Sequence, residues 1–158
     1  LKARQLGDAD ISKRVQARFH SLGVSVDRLE FYGRLESPQD HLALYEQVDV
    51  ALDPFPYNGA TTTCEALWMG VPVVSLIGDR HVGRFGVGFL NRAGFPEWAV
   101  KTRDTYVETA VRLLTERPSR YDVRARVAQS SLVDGAGFAR ELEAAYQDVW
   151  RRWRQKNM

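Results

Sequence analysis

The chain has 158 residues, 44% of them hydrophobic, which is enough for one ordinary core but cramped for two full domains. A net charge of +2 is too small to indicate nucleic-acid binding, and a single cysteine, Cys64, excludes a disulfide within the chain. No apolar run is long enough to span a membrane and no signal peptide is visible, so a reducing, cytoplasmic setting is expected.

The first third of the chain is predicted to be mainly helical. Apolar residues recur at helical spacing over 11–22, and Gly23 ends that pattern. Residues 29–32 are a short strand candidate. A second helix is predicted over 38–47, because Ser37 suits an N-cap and a proline follows it at the first helical position.

The segment 48–76 is predicted to form a strand, a turn, a helix and a second strand. A buried strand is predicted over 48–52, and the two prolines that follow exclude regular structure there. A short helix over 61–69 should end at Gly70 in the left-handed conformation. The next strand, 73–76, is apolar without alternation, which is typical of a parallel strand covered on both faces.

The second half of the chain is predicted to contain four helices and one short strand. The helices lie at 84–93, 104–116, 118–131 and 137–154, and the strand lies at 98–100. The helix 104–116 is expected to turn inward Tyr106, Val107, Ala110, Val111 and Leu114. The terminal amphipathic helix aligns on one stripe Phe138, Leu142, Ala145, Tyr146, Val149 and Trp153.

Strands that alternate with helices predict an α/β fold with a Rossmann-like open parallel sheet. Ligands of such sheets bind beyond the carboxyl ends of the strands, where the loop after Leu52 is expected to lie. The chain begins at Leu1 within structured-looking sequence and without a methionine, so a fragment or processed piece is expected.

The start of the helix 61–69 can hold a phosphate. Its first N–H groups have no partner within the helix, and the helix dipole adds positive charge there. Asn58 and Gly59 precede the helix, and glycine lets the backbone approach a ligand closely. Thr61 and Thr62 can add hydroxyl donors. Glu65 lies on the same helix face, where its carboxylate could accept hydrogen bonds from both hydroxyls of a ribose.

A purely structural interpretation fits the same local pattern. Asn58 and the threonines would then only cap the helix, and Glu65 would complete a capping box with Thr62. The pattern alone leaves these two interpretations about even.

The segment 48–76 resembles the donor-binding half of the glycosyltransferase family that includes the O-linked N-acetylglucosamine transferases and the plant SPINDLY proteins. The family's block has a Leu-Asp pair, two adjacent threonines, an acidic residue and then a Leu-(Trp/Tyr)-x-Gly-x-Pro run. This chain matches it at Asp49, Leu52, Asp53, Asn58, Gly59, Thr61, Thr62, Glu65, Leu67, Trp68, Gly70 and Pro72. The likeness continues weakly through Gly78, Asp79 and Arg84 and again at the last helix, so it covers most of the chain.

The resemblance implies that residues 1–158 are the nucleotide-sugar (donor) binding C-terminal lobe, incomplete at its N-terminus, of a GT-B enzyme. That enzyme transfers N-acetylglucosamine from UDP-GlcNAc to Ser or Thr of proteins. It implies that Thr61 and Thr62 contact the diphosphate, that Glu65 holds the ribose, and that His41 lies near the nucleotide. His41 is equally readable as a surface helix residue. The resemblance implies no cofactor and no metal ion, because helix dipole and hydrogen-bond donors can stabilise the leaving diphosphate.

The chain departs from the family in three ways. Ala60 stands where animal members have histidine, which is closer to the SPINDLY branch and leaves GDP-fucose open as the donor. The family's phosphate-binding lysine should lie upstream of Leu1 and is not Lys2. The N-terminal catalytic lobe and the tetratricopeptide repeats that present protein acceptors are absent, so the catalytic residues are unknown and the chain alone is expected to be inactive.

Arg84 is a further candidate, because it lies in a glycine-rich loop after a strand and could contact the sugar or the diphosphate. An exposed loop is an equally good interpretation. The three histidines share no metal-ligand spacing, and neither nucleic acid nor membrane is expected as a partner. From a different functional class, a non-catalytic scaffold that retains the fold remains open.

Overall fold

The computed structural model describes residues 1–157, which form two compact units, Leu1–Leu44 and a second unit that begins at Tyr45. The first unit contains helices α1 (Ala9–His20) and α2 (Pro38–Ala43). The Asp8 carboxylate caps α1 by accepting hydrogen bonds from two backbone N–H groups. The Ser37 hydroxyl caps α2 in the same way, and Pro38 occupies its first turn, as predicted.

The strand predicted over 29–32 is wrong. Only one isolated parallel bridge, between Lys2 and Tyr32, forms there. A strand needs a neighbour of comparable length, and the chain beside Tyr32 turns into a short 3₁₀ helix at Arg4–Gly7. The helix predicted over 38–47 also changes form, since α2 ends at Ala43 and a 3₁₀ turn spans Leu44–Gln47.

The second unit alternates strands and helices around one sheet. Its elements are β1 (Ala51–Leu52), α3 (Thr61–Trp68), β2 (Val73–Leu76), α4 (Phe85–Ala93), β3 (Ala99–Val100), α5 (Arg103–Glu116), α6 (Arg120–Ala128) and α7 (Gly135–Asn157). The strands are all parallel in the order β1-β2-β3. This arrangement confirms the predicted α/β class and open parallel sheet, although β1 and β3 are shorter than predicted.

The core surrounds the central strand β2. Val73, Val74 and Ser75 are buried, as expected for a parallel strand covered on both faces. Around them pack Ala66, Leu67, Val71, Leu90, Ala93, Phe95, Trp98, Tyr106, Leu113, Val123 and Val127. This packing therefore fixes the position of β2 and of its carboxyl end.

Helix α3 is held against α6 at its C-terminal end. Gly70 follows α3 with φ of 76°, as its predicted left-handed conformation requires. A side chain at this position would also collide with the backbone carbonyl of Arg120. Both the backbone conformation and the close approach of α6 therefore require glycine here.

The predicted inward face of α5 is wrong by part of a turn. Tyr106, Thr109 and Leu113 are buried, whereas Val107, Val111 and Leu114 are exposed. The helix carries apolar residues on two faces, and the sheet covers only the one that contains Tyr106.

Helix α7 extends the predicted 137–154 by a few residues and buries none of its side chains. The apolar stripe predicted from the sequence, Phe138, Leu142, Tyr146, Val149 and Trp153, is exposed to solvent over its whole length. Among residues 1–157, no helix combines the length and the apolar character that crossing a bilayer requires. The cytoplasmic location stays a prediction.

Candidate functional site

The loop between β1 and α3 is organised by a buried carboxylate. Asp53 directly follows β1 and is only 3% exposed. Its Oδ1 accepts a hydrogen bond from the backbone N–H of Gly59 at 2.7 Å, and its Oδ2 accepts one from the Ser75 hydroxyl at 2.5 Å. The Thr63 hydroxyl lies 3.5 Å from Oδ1. One side chain thus joins two strand ends and the first turn of α3.

Asn58 connects this loop to the loop after β2. Its side chain is buried and donates to the carbonyl of Pro54 at 3.0 Å, while its oxygen accepts from the N–H of Gly86 at 3.4 Å. Its own backbone N–H donates to the carbonyl of Val82 at 2.9 Å. The loop that leads into α3 and the first turn of α4 are therefore tied together at the carboxyl edge of the sheet, where open α/β sheets bind ligands.

The start of α3 has no side-chain cap. Ala60 occupies the N-cap position, and no side chain accepts a hydrogen bond from the first N–H groups of the helix. Asn58 uses its amide elsewhere, and the Thr63 hydroxyl points to Asp53. The interpretation of Asn58 and the threonines as simple helix caps is therefore wrong.

Gly59 brings the backbone close to the first turn of α3. A Cβ atom at this position would lie 2.8 Å from the Thr63 hydroxyl oxygen and 2.9 Å from that of Thr62. Thr61 and Thr62, the first two residues of α3, are exposed to solvent. The structure thus places Asn58, Gly59, Thr61 and Thr62 together.

Glu65 lies one turn further along α3 and is half-buried. The hydroxyl of Tyr45 is 3.4 Å from its Oε2 and 3.1 Å from the carbonyl oxygen of Thr62. Burial, followed by the charge of Glu65 and the hydrogen bond to it, raises the pKa of Tyr45. The hydroxyl therefore keeps its single proton at neutral pH, and the Thr62 carbonyl oxygen and the Glu65 carboxylate share it as acceptors.

Arg84 stands directly before α4 and is exposed. Its guanidinium donates to the carbonyl of Gly78 at 3.3 Å, within a loop closed by a 2.7 Å hydrogen bond from the N–H of Gly78 to the carbonyl of Gly83. The structure therefore places Arg84 in the loop after β2, whose residue Val82 bonds to Asn58.

His41 belongs to the first unit, so the structure does not group it with the other candidates. It lies on α2, where its Nδ1 contacts the ammonium group of Lys2. Among residues 1–157, no three His, Cys, Asp or Glu side chains form a group that could hold a metal ion. The half-buried Cys64 thiol has its pKa raised by burial and then by the charge of Glu65.

Two residues that shape this site were not among the site candidates predicted from the sequence, although Asp53 belongs to the matched family block. Asp53 reads locally as a turn residue, yet its carboxylate is the centre of the loop's hydrogen bonds. Tyr45 reads as a core aromatic, yet its hydroxyl reaches α3. The available signal was Ser75, a polar residue inside a buried strand, because a buried hydroxyl needs a polar partner.

Comparisons with known proteins identify the family of this chain. The pattern of the family described as Glycosyl transferase family 41 matches residues 4–141. A relative from Petunia hybrida, named "Probable UDP-N-acetylglucosamine--peptide N-acetylglucosaminyltransferase SPINDLY", is 35% identical over 157 residues, which is 97% of this chain and 17% of the relative. The UDP-N-acetylglucosamine--peptide N-acetylglucosaminyltransferase of Caenorhabditis elegans is 30% identical over 135 residues, 83% of this chain and 12% of its own.

A solved structure shares the fold. A mutant of the O-GlcNAc transferase of Thermobaculum terrenum superposes with a TM-score of 0.90 and 37% identity over 100% of this chain, which corresponds to 31% of that protein. The likeness confirms the predicted lobe of a GT-B glycosyltransferase. The chain spans about a sixth of the length of the curated relatives it matches. On the match over residues 4–141, the chain belongs to glycosyl transferase family 41.

Proposed function

We propose that this chain is the donor-binding part of a protein O-glycosyltransferase, which transfers N-acetylglucosamine from UDP-GlcNAc to Ser or Thr of proteins. The lobe comprises residues 1–158, with the amphipathic helix 137–154 as part of it. The observation that carries the proposal is the uncapped start of α3, with two exposed threonines beside it and Glu65 one turn away.

The diphosphate of the donor is assigned to the start of α3. Free N–H groups and the positive end of the helix dipole favour an anion there, and the hydroxyls of Thr61 and Thr62 add donors. The same donors stabilise the charge that develops on the diphosphate as it leaves the sugar. Asn58 and Gly59 shape the loop in front of the diphosphate position. Arg84 supplies positive charge from the neighbouring loop.

The ribose is assigned to Glu65, whose carboxylate accepts hydrogen bonds from both ribose hydroxyls. A carboxylate one helical turn beyond the phosphate position suits a nucleoside diphosphate, because the two helix positions lie on one face. His41 is proposed to lie near the nucleotide on the strength of the family resemblance alone.

UDP-GlcNAc is preferred as the donor because the names of the Petunia and Caenorhabditis relatives state it. The sugar and the acceptor require parts of the longer protein, including an N-terminal catalytic lobe and tetratricopeptide repeats. The exposed apolar stripe of α7 supports such a neighbour, because a long unpartnered apolar face is rarely left to solvent.

The function is tested by Glu65→Ala in the full-length protein, with Glu108→Ala on the exposed face of α5 as the matched control. Losing hydrogen bonds to a charged group should raise the donor KM by about tenfold to a hundredfold, while the control leaves it unchanged. An unchanged KM in Glu65→Ala contradicts the ribose assignment.

A titration identifies the base. UDP, GDP and ADP are added in turn to this chain in a calorimeter, and the titration is repeated with Glu65→Ala. We expect UDP to bind and the variant to bind it more weakly, whereas preference for GDP would favour a fucosyl donor. If no nucleotide binds, the same titration on the full-length protein decides, and failure there favours the scaffold interpretation.

A further inference from the structure

Tyr45 is anchored at its backbone by an arginine from α6. The half-buried Arg120 guanidinium donates to the carbonyl of Tyr45 at 2.9 Å and to that of Val48 at 2.6 Å, with a third, longer contact to Glu46 at 3.3 Å. Three carbonyl oxygens in one turn are thus held by a single planar group. The backbone of Tyr45 has little freedom to move.

The ring of Tyr45 is held as well. It packs against the hydrophobic core and is half-buried. A side chain fixed at the backbone and along its ring delivers its hydroxyl to a single place. That place is the first turn of α3, within 3.1 Å of the Thr62 carbonyl oxygen and 3.4 Å of a Glu65 carboxylate oxygen.

A fixed neighbour can restrict the position of a glutamate carboxylate such as that of Glu65. A glutamate side chain has three rotatable bonds, and ordering it costs conformational entropy each time a ligand binds. A fixed hydroxyl beside the carboxylate reduces that cost by restricting its position beforehand. The effect would act on binding and leave the bond-breaking step untouched.

We propose that Tyr45 is a positioning residue for the nucleotide sugar: its hydroxyl holds the Glu65 carboxylate in the orientation that accepts the ribose hydroxyls. This inference rests on the proposed function, since it assigns to Tyr45 the placement of the residue that binds the ribose. Arg120 acts one step further away, by fixing the backbone of Tyr45.

The test is Tyr45→Phe in the full-length protein, with Tyr121→Phe as the matched control. Tyr45→Phe removes the hydroxyl and keeps the ring in the core, and Tyr121 is 80% exposed on α6. One lost hydrogen bond should raise the donor KM by about threefold to tenfold, with kcat within about twofold of the parent. A fall in kcat at constant KM overturns the proposal.

A second arm compares UDP with 2′,3′-dideoxy-UDP. Tyr45→Phe should weaken the binding of UDP and leave the binding of the dideoxy nucleotide unchanged, because only UDP offers hydroxyls to Glu65. A purely structural role for Tyr45 would weaken both nucleotides to the same extent and would overturn the proposal.

A double-mutant cycle separates this inference from the proposed function. In the Glu65→Ala background, Tyr45→Phe should have no further effect on the donor KM. If Glu65→Ala raises KM and Tyr45→Phe does not, the inference fails alone. If Glu65→Ala leaves KM unchanged, the ribose assignment fails and the inference fails with it.

Discussion

The Asp53 carboxylate has almost no access to water, and its hydrogen bonds fix the loop that leads into α3. Replacing it by alanine leaves the N–H of Gly59 and the hydroxyl of Ser75 without their acceptor. We expect Asp53→Ala to lower the free energy of unfolding by about 2–4 kcal/mol, measured by urea denaturation. The exposed Asp49 is the control, and Asp49→Ala should change that free energy by less than about 0.5 kcal/mol.

The same residue gives a pH dependence of unusual sign. Burial raises the pKa of the Asp53 carboxyl above 3.8, although hydrogen bonds from Ser75, Gly59 and Thr63 act in the opposite direction. The folded chain therefore binds more protons than the unfolded chain between 3.8 and the raised value. Stability contributed by this group is lost as pH rises through that interval.

Asp53→Asn removes this titration and isolates its effect. We expect the free energy of unfolding of the parent, minus that of Asp53→Asn, to decrease as the pH rises from about 4 towards 7. Urea denaturation of both proteins at several pH values measures the difference. A difference that increases with pH would mean that the hydrogen bonds to Asp53 outweigh its burial.

At the level of single residues, local chemistry was predictable and distant contacts were not. Thr61, Thr62 and Glu65 could be named as candidates because a helix start and its first turn are written in consecutive residues, and their contacts with a ligand stay a prediction. Asp53 and Tyr45 were missed because their decisive partners, Ser75 and Glu65, lie 22 and 20 residues away. No local pattern reports a pairing that only the folded sheet creates.

Among the elements, α5 shows how apolar periodicity can identify a helix and misplace its face. The helix was predicted within a residue of its observed bounds, Arg103–Glu116. Its inward face was predicted wrongly, because apolar residues lie both on the side of Leu113 and on the side of Leu114. The position of β2, which is absent from the local pattern, decides which side is buried.

The adjacent leucines of α5 provide a matched test. Leu113 is 1% exposed and Leu114 is 48% exposed. Leu113→Ala should lower the free energy of unfolding by about 2–5 kcal/mol through lost burial and a cavity, whereas Leu114→Ala should cost less than about 1 kcal/mol. Urea denaturation of the two variants of this chain compares them. A larger loss in Leu114→Ala than in Leu113→Ala would mean that α5 packs in the register predicted from its sequence.

At the scale of the whole molecule, the stable part of the second unit is the sheet with the helices packed around it. The open parallel sheet was predictable, because the alternation of strands and helices is a property of the entire sequence. Which surface, if any, packs against α7 was not predictable. Its apolar stripe indicates a helix with a partner, but the sequence of the helix does not name that partner.

The stripe on α7 leads to a prediction that differs between this chain and the longer protein. Because α7 buries no side chain, removing the residues after Asp134 should lower the free energy of unfolding of this chain by less than about 2 kcal/mol. The ion pair between Arg92 and Glu141, 3.5 Å long and exposed, adds little to that loss. Thermal and urea denaturation of the shortened chain provide the measurement.

The full-length protein is the control, and the same deletion should have a larger effect there. If the proposed neighbouring lobe covers the stripe, burial of side chains such as Leu142, Val149 and Trp153 stabilises that contact by about 1.5–3 kcal/mol each. Their loss should lower the stability of the full-length protein well beyond that of this chain. Equal effects in both proteins would mean that α7 remains uncovered and that the catalytic lobe contacts another face.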